Sequence, residues 1–113
     1  MKSPITTHVL DTTAGRPAVG IEVQLSKRDA HGVWCEIGSG TTDVDGRVAD
    51  LLAATLESGE YRLRFETGAY FDQLGTTVFY PYIEVAFSVA HPTEHYHVPI
   101  LINPFGYSTY RGS

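Results

Sequence analysis

The sequence predicts an all-β fold, a sandwich or barrel of seven or eight short strands, and three observations lead there. Hydrophobic residues recur with a period of two rather than 3.6. Turn signals built from Gly, Pro, Asn and Asp punctuate the chain at short intervals. At 113 residues and 42% hydrophobic content the chain suits one domain, residues 1–113, with a single core.

The elements follow in chain order. In "ITTHVLD", Ile5, Thr7 and Val9 alternate with Thr6, His8 and Leu10; with Val9 turned inward, His8 faces outward. Gly15-Arg16-Pro17 is a turn. In "GIEVQLSKRD", Ile21, Val23 and Leu25 share one face, and Glu22, Gln24 and Ser26 the other. After the turn Asp29-Ala30-His31-Gly32, alternation in "VWCEIGSG" makes Cys35 a small buried or interface residue. The segment Asp43-Val44-Asp45-Gly46 is a turn that delivers Arg47 to the start of a strand. It lacks the spaced carboxylates and the distal Glu of a calcium loop.

Beyond Glu57-Ser58-Gly59, "YRLRFE" turns Tyr61, Leu63 and Phe65 inward and Arg62, Arg64 and Glu66 outward. Residues 69–77, "AYFDQLGTT", form the one short helix, with Gly75 available to end it. "YIEVAFSV" lines Ile83, Val85, Phe87 and Val89 on one side, and His91-Pro92 turns the chain. In "EHYHVPILIN", Tyr96, Val98, Ile100 and Ile102 form a core row, so His95 and His97 point away from the core. Pro99 in that strand suggests a bulge or a missing ladder bond. After Asn103-Pro104-Phe105-Gly106 the last strand-like run, "GYSTYRGS", proceeds without a polar tail to Ser113.

Charge and composition exclude several functions. A formal net charge of −5 with no basic cluster argues against nucleic acid, whose phosphates require a concentrated Lys/Arg footprint. No apolar run reaches the roughly 18 to 20 residues of a membrane span. The start Met1-Lys2-Ser3-Pro4 lacks a secretory leader, and Cys35, the one cysteine, cannot form an internal disulfide; both point to the cytoplasm. The partner is a small molecule or another protein.

The outward histidines are the chemical signal. If the first strand lies near the strand of His97, then His8 and His97 converge on one outer face. An outward His on a solvated strand face also occurs without any chemical role. Three imidazoles, His8, His95 and His97, match the ligand set of a catalytic zinc, although no Asp or Glu nearby offers itself as a supporting partner. Arg47 reads either as a guanidinium held at a loop mouth or as a surface pair with Asp43 or Asp45.

The stretches "THVLDTTAGRPA", "TTDVDGRV", "HYHVP" and the final "YRGS" together resemble the transthyretin-related 5-hydroxyisourate hydrolases of urate degradation, from Ile5 to Ser113. That resemblance implies a transthyretin-like β-sandwich of two four-stranded antiparallel sheets with one short helix. It implies hydrolysis of 5-hydroxyisourate to 2-oxo-4-hydroxy-4-carboxy-5-ureidoimidazoline without metal or cofactor. It also implies a homotetramer with active sites at a subunit interface. Carried onto this chain, the family's catalytic positions are His8, Arg47, His97 and Ser113, with His8, Arg47 and Tyr110 binding substrate. Either imidazole serves as the base, and Ser113 offers a hydroxyl and a terminal carboxylate able to fix an imidazole tautomer. The alternative within this likeness is a transthyretin-like carrier that binds an aromatic ligand without turnover.

Overall fold

Residues 3–113 are described by a computed structural model. The period-two stretches become strands: β1 (Ile5–Asp11), β2 (Arg16–Pro17), β3 (Glu22–Arg28), β4 (Trp34–Thr41), β5 (Gly59–Phe65), β6 (Ile83–Val89), β7 (Tyr96–Asn103) and β8 (Gly106–Thr109). The helix α1 (Thr67–Gln73) connects β5 to β6. One sheet has the order β2-β1-β7-β8 and the other β4-β3-β5-β6, giving the expected sandwich of two four-stranded sheets. Among the described residues no helix is long and apolar enough to cross a membrane.

The inward positions read from alternation fill the space between the sheets. Ile5, Val9, Val23, Leu25, Leu63, Phe65, Ile100 and Ile102 have no exposed surface. Fully burying one such aliphatic or aromatic side chain contributes about 1.5–3 kcal/mol. Val48, Leu51, Leu52 and Leu56 from the β4–β5 connection close the core at one end.

One expectation is corrected: the sheets are not wholly antiparallel. β1 and β7 run parallel, in continuous register from Ile5 opposite Tyr96 to Asp11 opposite Ile102. The remaining pairs are antiparallel. No hairpin joins β1 to β7. The chain traverses the whole second sheet between them, so no tight turn forces their directions to oppose. The register continues through Pro99, which sits opposite His8 without a bulge.

Two smaller corrections concern the helix and the cysteine. The helix begins two residues before the expected 69–77, because Thr67 and Phe71, one turn apart, are its buried positions. It ends where Leu74 and Thr76 both donate to the Phe71 carbonyl and Gly75 donates to that of Asp72. Of the two expectations for Cys35, burial in the core is the one corrected: it is exposed on the single chain, since β4 is an edge strand whose side chains lie mostly outside the core.

The C-terminal end of β1 is anchored by a residue that alternation places inward despite its charge. Asp11 is 1% exposed, and its Oδ1 accepts the N–H groups of Thr13 and Ala14 at 2.9 and 3.1 Å. The Tyr70 hydroxyl donates to Oδ2 at 2.8 Å, fastening the helix to the opposite sheet. Burial first, and then this bond to a carboxylate, push the Tyr70 phenol up to about 12. Tyr70→Phe leaves a buried carboxylate oxygen without its donor, so we expect a loss of about 1.5–3 kcal/mol in urea unfolding. An unchanged midpoint and slope would show that the helix needs no such fastening.

Candidate active site

The site is assembled from the outward faces of β1 and β7, a tight turn, and the chain's last residues. Parallel register sets Thr6 opposite His97 and His8 opposite Pro99. Because Ile5, Thr7 and Val9 are buried, Thr6 and His8 lie on the other face of β1. The Thr7 hydroxyl donates to the Val98 carbonyl at 2.7 Å and adds a side-chain tie to the ladder at this point.

The turn at residues 43–47 positions Arg47. Asp43 Oδ1 accepts the N–H groups of Asp45 and Arg47 at 2.9 and 3.0 Å, folding the loop around its own carboxylate. The Arg47 N–H above all holds the Asp43 carboxyl below the usual carboxylate range; desolvation, the next influence, opposes it, and the Asp45 N–H and the guanidinium charge add to the lowering. Gly46 has φ +76°, and a side chain there would strike the Val9 carbonyl. Its own carbonyl accepts the Val9 N–H at 2.8 Å. The turn thereby covers the free edge of β1 and forms a bridge that sets Arg47 opposite His8. Asp43 grips the backbone of Arg47, no ion pair joins the guanidinium to Asp43 or Asp45 among the described residues, and Arg47 lines the cleft.

The tail supplies the remaining wall. The Gly112 N–H donates to the His97 carbonyl at 2.8 Å, bridging tail and strand. A Cβ at Gly112 would lie 2.6 Å from His97 Cδ2 and 3.1 Å from Pro99 Cγ, so only glycine lets the tail lie this close to the imidazole. The Arg111 guanidinium stacks 4.4 Å from the Tyr96 ring centroid and donates to Glu94 Oε1 at 3.0 Å. Arg111 and Gly112 are thereby held against β7 and the segment before it.

These parts enclose a cleft of about 510 Å³ lined by Thr6, Asp43, Arg47, His95, His97 and Ser113, among others. Arg47, His97 and Ser113 are thus brought together. His8 stands beside the cleft, on the same face of β1 as Thr6, and its charge is felt at His97. Tyr110 is not in this cleft; it lines a second, more apolar pocket of about 290 Å³ with Val85, Phe87 and Tyr96. His97 borders both pockets. His31 and His91 sit in exposed turns away from the cleft.

Sequence reasoning passed over Thr6 and Gly112 as site residues and considered His95 only as a metal ligand. Thr6 Oγ1 lies 2.8 Å from both His97 Nδ1 and His95 Nε2. The alternation that exposed His8 also exposed Thr6, but only the β1–β7 register shows which residues it meets. His97 is half-buried and is held below the ordinary imidazole range. Desolvation is the main cause, followed by the positive fields of Arg47, His95 and His8, with the Thr6 contact acting in the opposite sense. A lowered value favours the uncharged imidazole at neutral pH, able to accept a proton in the cleft that Arg47 also lines.

The chain matches the HIUase/Transthyretin family over residues 5–112. It is 44% identical over 113 residues to the 5-hydroxyisourate hydrolase of Mus musculus, covering 98% of this chain and 96% of that protein. A probable 5-hydroxyisourate hydrolase of Schizosaccharomyces pombe is 46% identical, with 96% and 90% covered. Among solved structures, sea bream transthyretin in complex with thyroxine superposes with a TM-score of 0.91 at 34% identity, covering 97% of this chain and 95% of that one. The 5-hydroxyisourate hydrolase of Klebsiella pneumoniae superposes with a TM-score of 0.85 at 38% identity, with 96% and 98% covered. Backbone likeness alone does not separate catalyst from carrier, since both kinds of protein share this sandwich. From the sequence match across nearly its whole length, together with the fold, the chain belongs to the HIUase/Transthyretin family.

Proposed function

We propose that the chain, residues 1–113 acting as one hydrolase domain, hydrolyses 5-hydroxyisourate in urate degradation. The observation that carries this reading is the convergence of Arg47, His97 and Ser113 on one cleft, in a chain whose curated relatives are named as 5-hydroxyisourate hydrolases.

The reaction adds water to a ring carbonyl and breaks an amide-type C–N bond. It needs a base for the water, a counter-charge for the tetrahedral oxyanion and a proton for the departing nitrogen. His97, uncharged at neutral pH, takes the proton from water. Arg47 lines the same cleft and stabilises the oxyanion through its fork of N–H donors, or grips the urate-like ring with it. His8, next to Arg47 across the bridge, returns a proton to the leaving nitrogen. The Ser113 hydroxyl orients the substrate, and Tyr110 contributes from the neighbouring apolar pocket that His97 also borders. Each of these groups uses proton transfer or hydrogen bonding, so the reading involves no metal or cofactor.

The functional unit in this reading is a homotetramer with the clefts at a subunit interface. Supporting this are the edge strands β4, β6 and β8 and the exposed Phe79, Tyr80, Tyr82, Phe105, Tyr107 and Tyr110, apolar surface suited to burial between copies. A cytoplasmic location fits an exposed free thiol at Cys35.

Mixing urate, uricase and this protein tests the activity: the ultraviolet signal of the intermediate must decay faster than with uricase alone. Decay at the uncatalysed rate would leave the carrier reading in its place. His97→Ala and Arg47→Ala each lower turnover by about 100- to 10,000-fold while leaving the fold and assembly unchanged, because neither side chain belongs to the core. Wild-type turnover in His97→Ala would remove it from the site. A chelator leaves turnover as it was; loss on chelation with rescue by zinc would restore the three-histidine metal reading. The pH dependence has a definite sign. A base with a lowered pKa stays unprotonated until the pH falls through that lowered value, so the acid limb of kcat/KM lies below the ordinary imidazole value of about 6.5. An acid limb above that value would exclude His97 as the base.

A further inference from the structure

One threonine hydroxyl sits between two imidazoles. Thr6 Oγ1 is 2.8 Å from His97 Nδ1 and 2.8 Å from His95 Nε2. A hydroxyl carries a single proton, so it can donate to only one of them and must accept from the other. The tautomers of the two rings are therefore linked through Thr6.

The tie at Nδ1 leaves Nε2 as the ring nitrogen of His97 available to a substrate. For Nε2 to be a base, Nδ1 must hold the proton and donate it to Thr6, and Thr6 must in turn donate to His95 Nε2. We infer that Thr6 and His95 are positioning residues that hold His97 in its Nδ1–H tautomer and let the positive charge it gains pass to the exposed ring of His95.

When Nε2 takes a proton from the attacking water, the Nδ1 proton passes to the Thr6 oxygen, and the Thr6 proton passes to His95 Nε2. Positive charge then rests on exposed His95, and His97 is neutral with its new proton on Nε2. Release of that proton, coupled to the reverse shift through Thr6, restores the starting state with no net gain or loss. The titratable and charged groups around this row are His8 on β1, Asp43 and Arg47 on the turn, Ser113 in the tail, and the Arg111–Glu94 pair beside His95. Arg111 Nη2 also lies 3.5 Å from the His95 carbonyl, which helps to fix the segment that carries the outer ring.

The rate effects rest on the proposed hydrolase activity, but the tautomers do not. The test is a long-range 1H–15N spectrum of the imidazoles in the whole labelled protein without substrate, alongside kcat and KM for the same samples. Both His95 and His97 should be Nδ1–H in the wild type, opposite to the Nε2–H preference of free imidazole side chains. Thr6→Val should abolish that state and lower kcat by about 10- to 100-fold with KM little changed, while Thr6→Ser, which keeps the hydroxyl, should restore both. His95→Leu removes the acceptor and frees Thr6 to donate to His97, so His97 should change to Nε2–H although nothing in its own residue is altered. An Nε2–H His97 in the wild type, or an unchanged His97 spectrum in both Thr6→Val and His95→Leu, overturns the inference. Unchanged kcat in Thr6→Val overturns its catalytic part. If the wild type itself does not speed the decay of 5-hydroxyisourate, the hydrolase reading fails, and the spectra alone decide the relay.

Discussion

The site depends on one pairing, the parallel ladder between β1 and β7. Its register puts Thr6 beside His97 and aligns two inward rows, Ile5-Thr7-Val9 and Tyr96-Val98-Ile100, against the opposite sheet. A slip of one residue between them would turn one of the two rows outward and carry that strand's histidine inside. The buried rows thus fix the positions of the imidazoles, even though no imidazole belongs to the core. The Thr6–His97 contact spans 91 positions of sequence, so its loop-closure cost must be met by other contacts. The sheet between them, β3 to β6, consists of antiparallel neighbours that form a scaffold on which the two distant strands can meet.

Much of this was legible because strand alternation is local. Val9 inward implied His8 outward; Tyr96, Val98, Ile100 and Ile102 inward implied His97 outward, and both hold. The parallel direction of β1 against β7 was not legible, since no residue in either strand records the path of the chain between them. Asp11 was equally hidden. Its side chain is charged, and only the conjunction of two backbone donors and Tyr70 makes its burial tolerable. Tyr110 and Ser113 belong to the same terminal tetrapeptide, yet within one chain they line different pockets, a separation the motif alone does not record.

The electrostatics of the cleft follow from crowding like charges beside a partly desolvated ring. Arg47, His95 and His8 all disfavour a proton on His97, and burial acts in the same direction. A catalytic base gains from this, because it is unprotonated over a wider range of pH, at the cost of some proton affinity. The carboxylate of Asp43, whose Oδ1 accepts the two N–H groups that shape the turn, is not among the groups that shift His97. The same side chain builds the loop and leaves the guanidinium to act on the cleft.

The alternation of β1 and β7 also has an evolutionary consequence. Residues that hold the sandwich and residues proposed to do chemistry occupy alternate positions on the same strands, so they can mutate almost independently. Replacing Thr6, His8 or His97 removes little buried apolar area, whereas replacing Ile5, Val9 or Val98 touches the core directly. A lineage can therefore lose or acquire catalysis by point changes on one face while paying almost nothing in folding stability. That independence accounts physically for how a hydrolase and a thyroxine-binding transthyretin can superpose on this chain so closely.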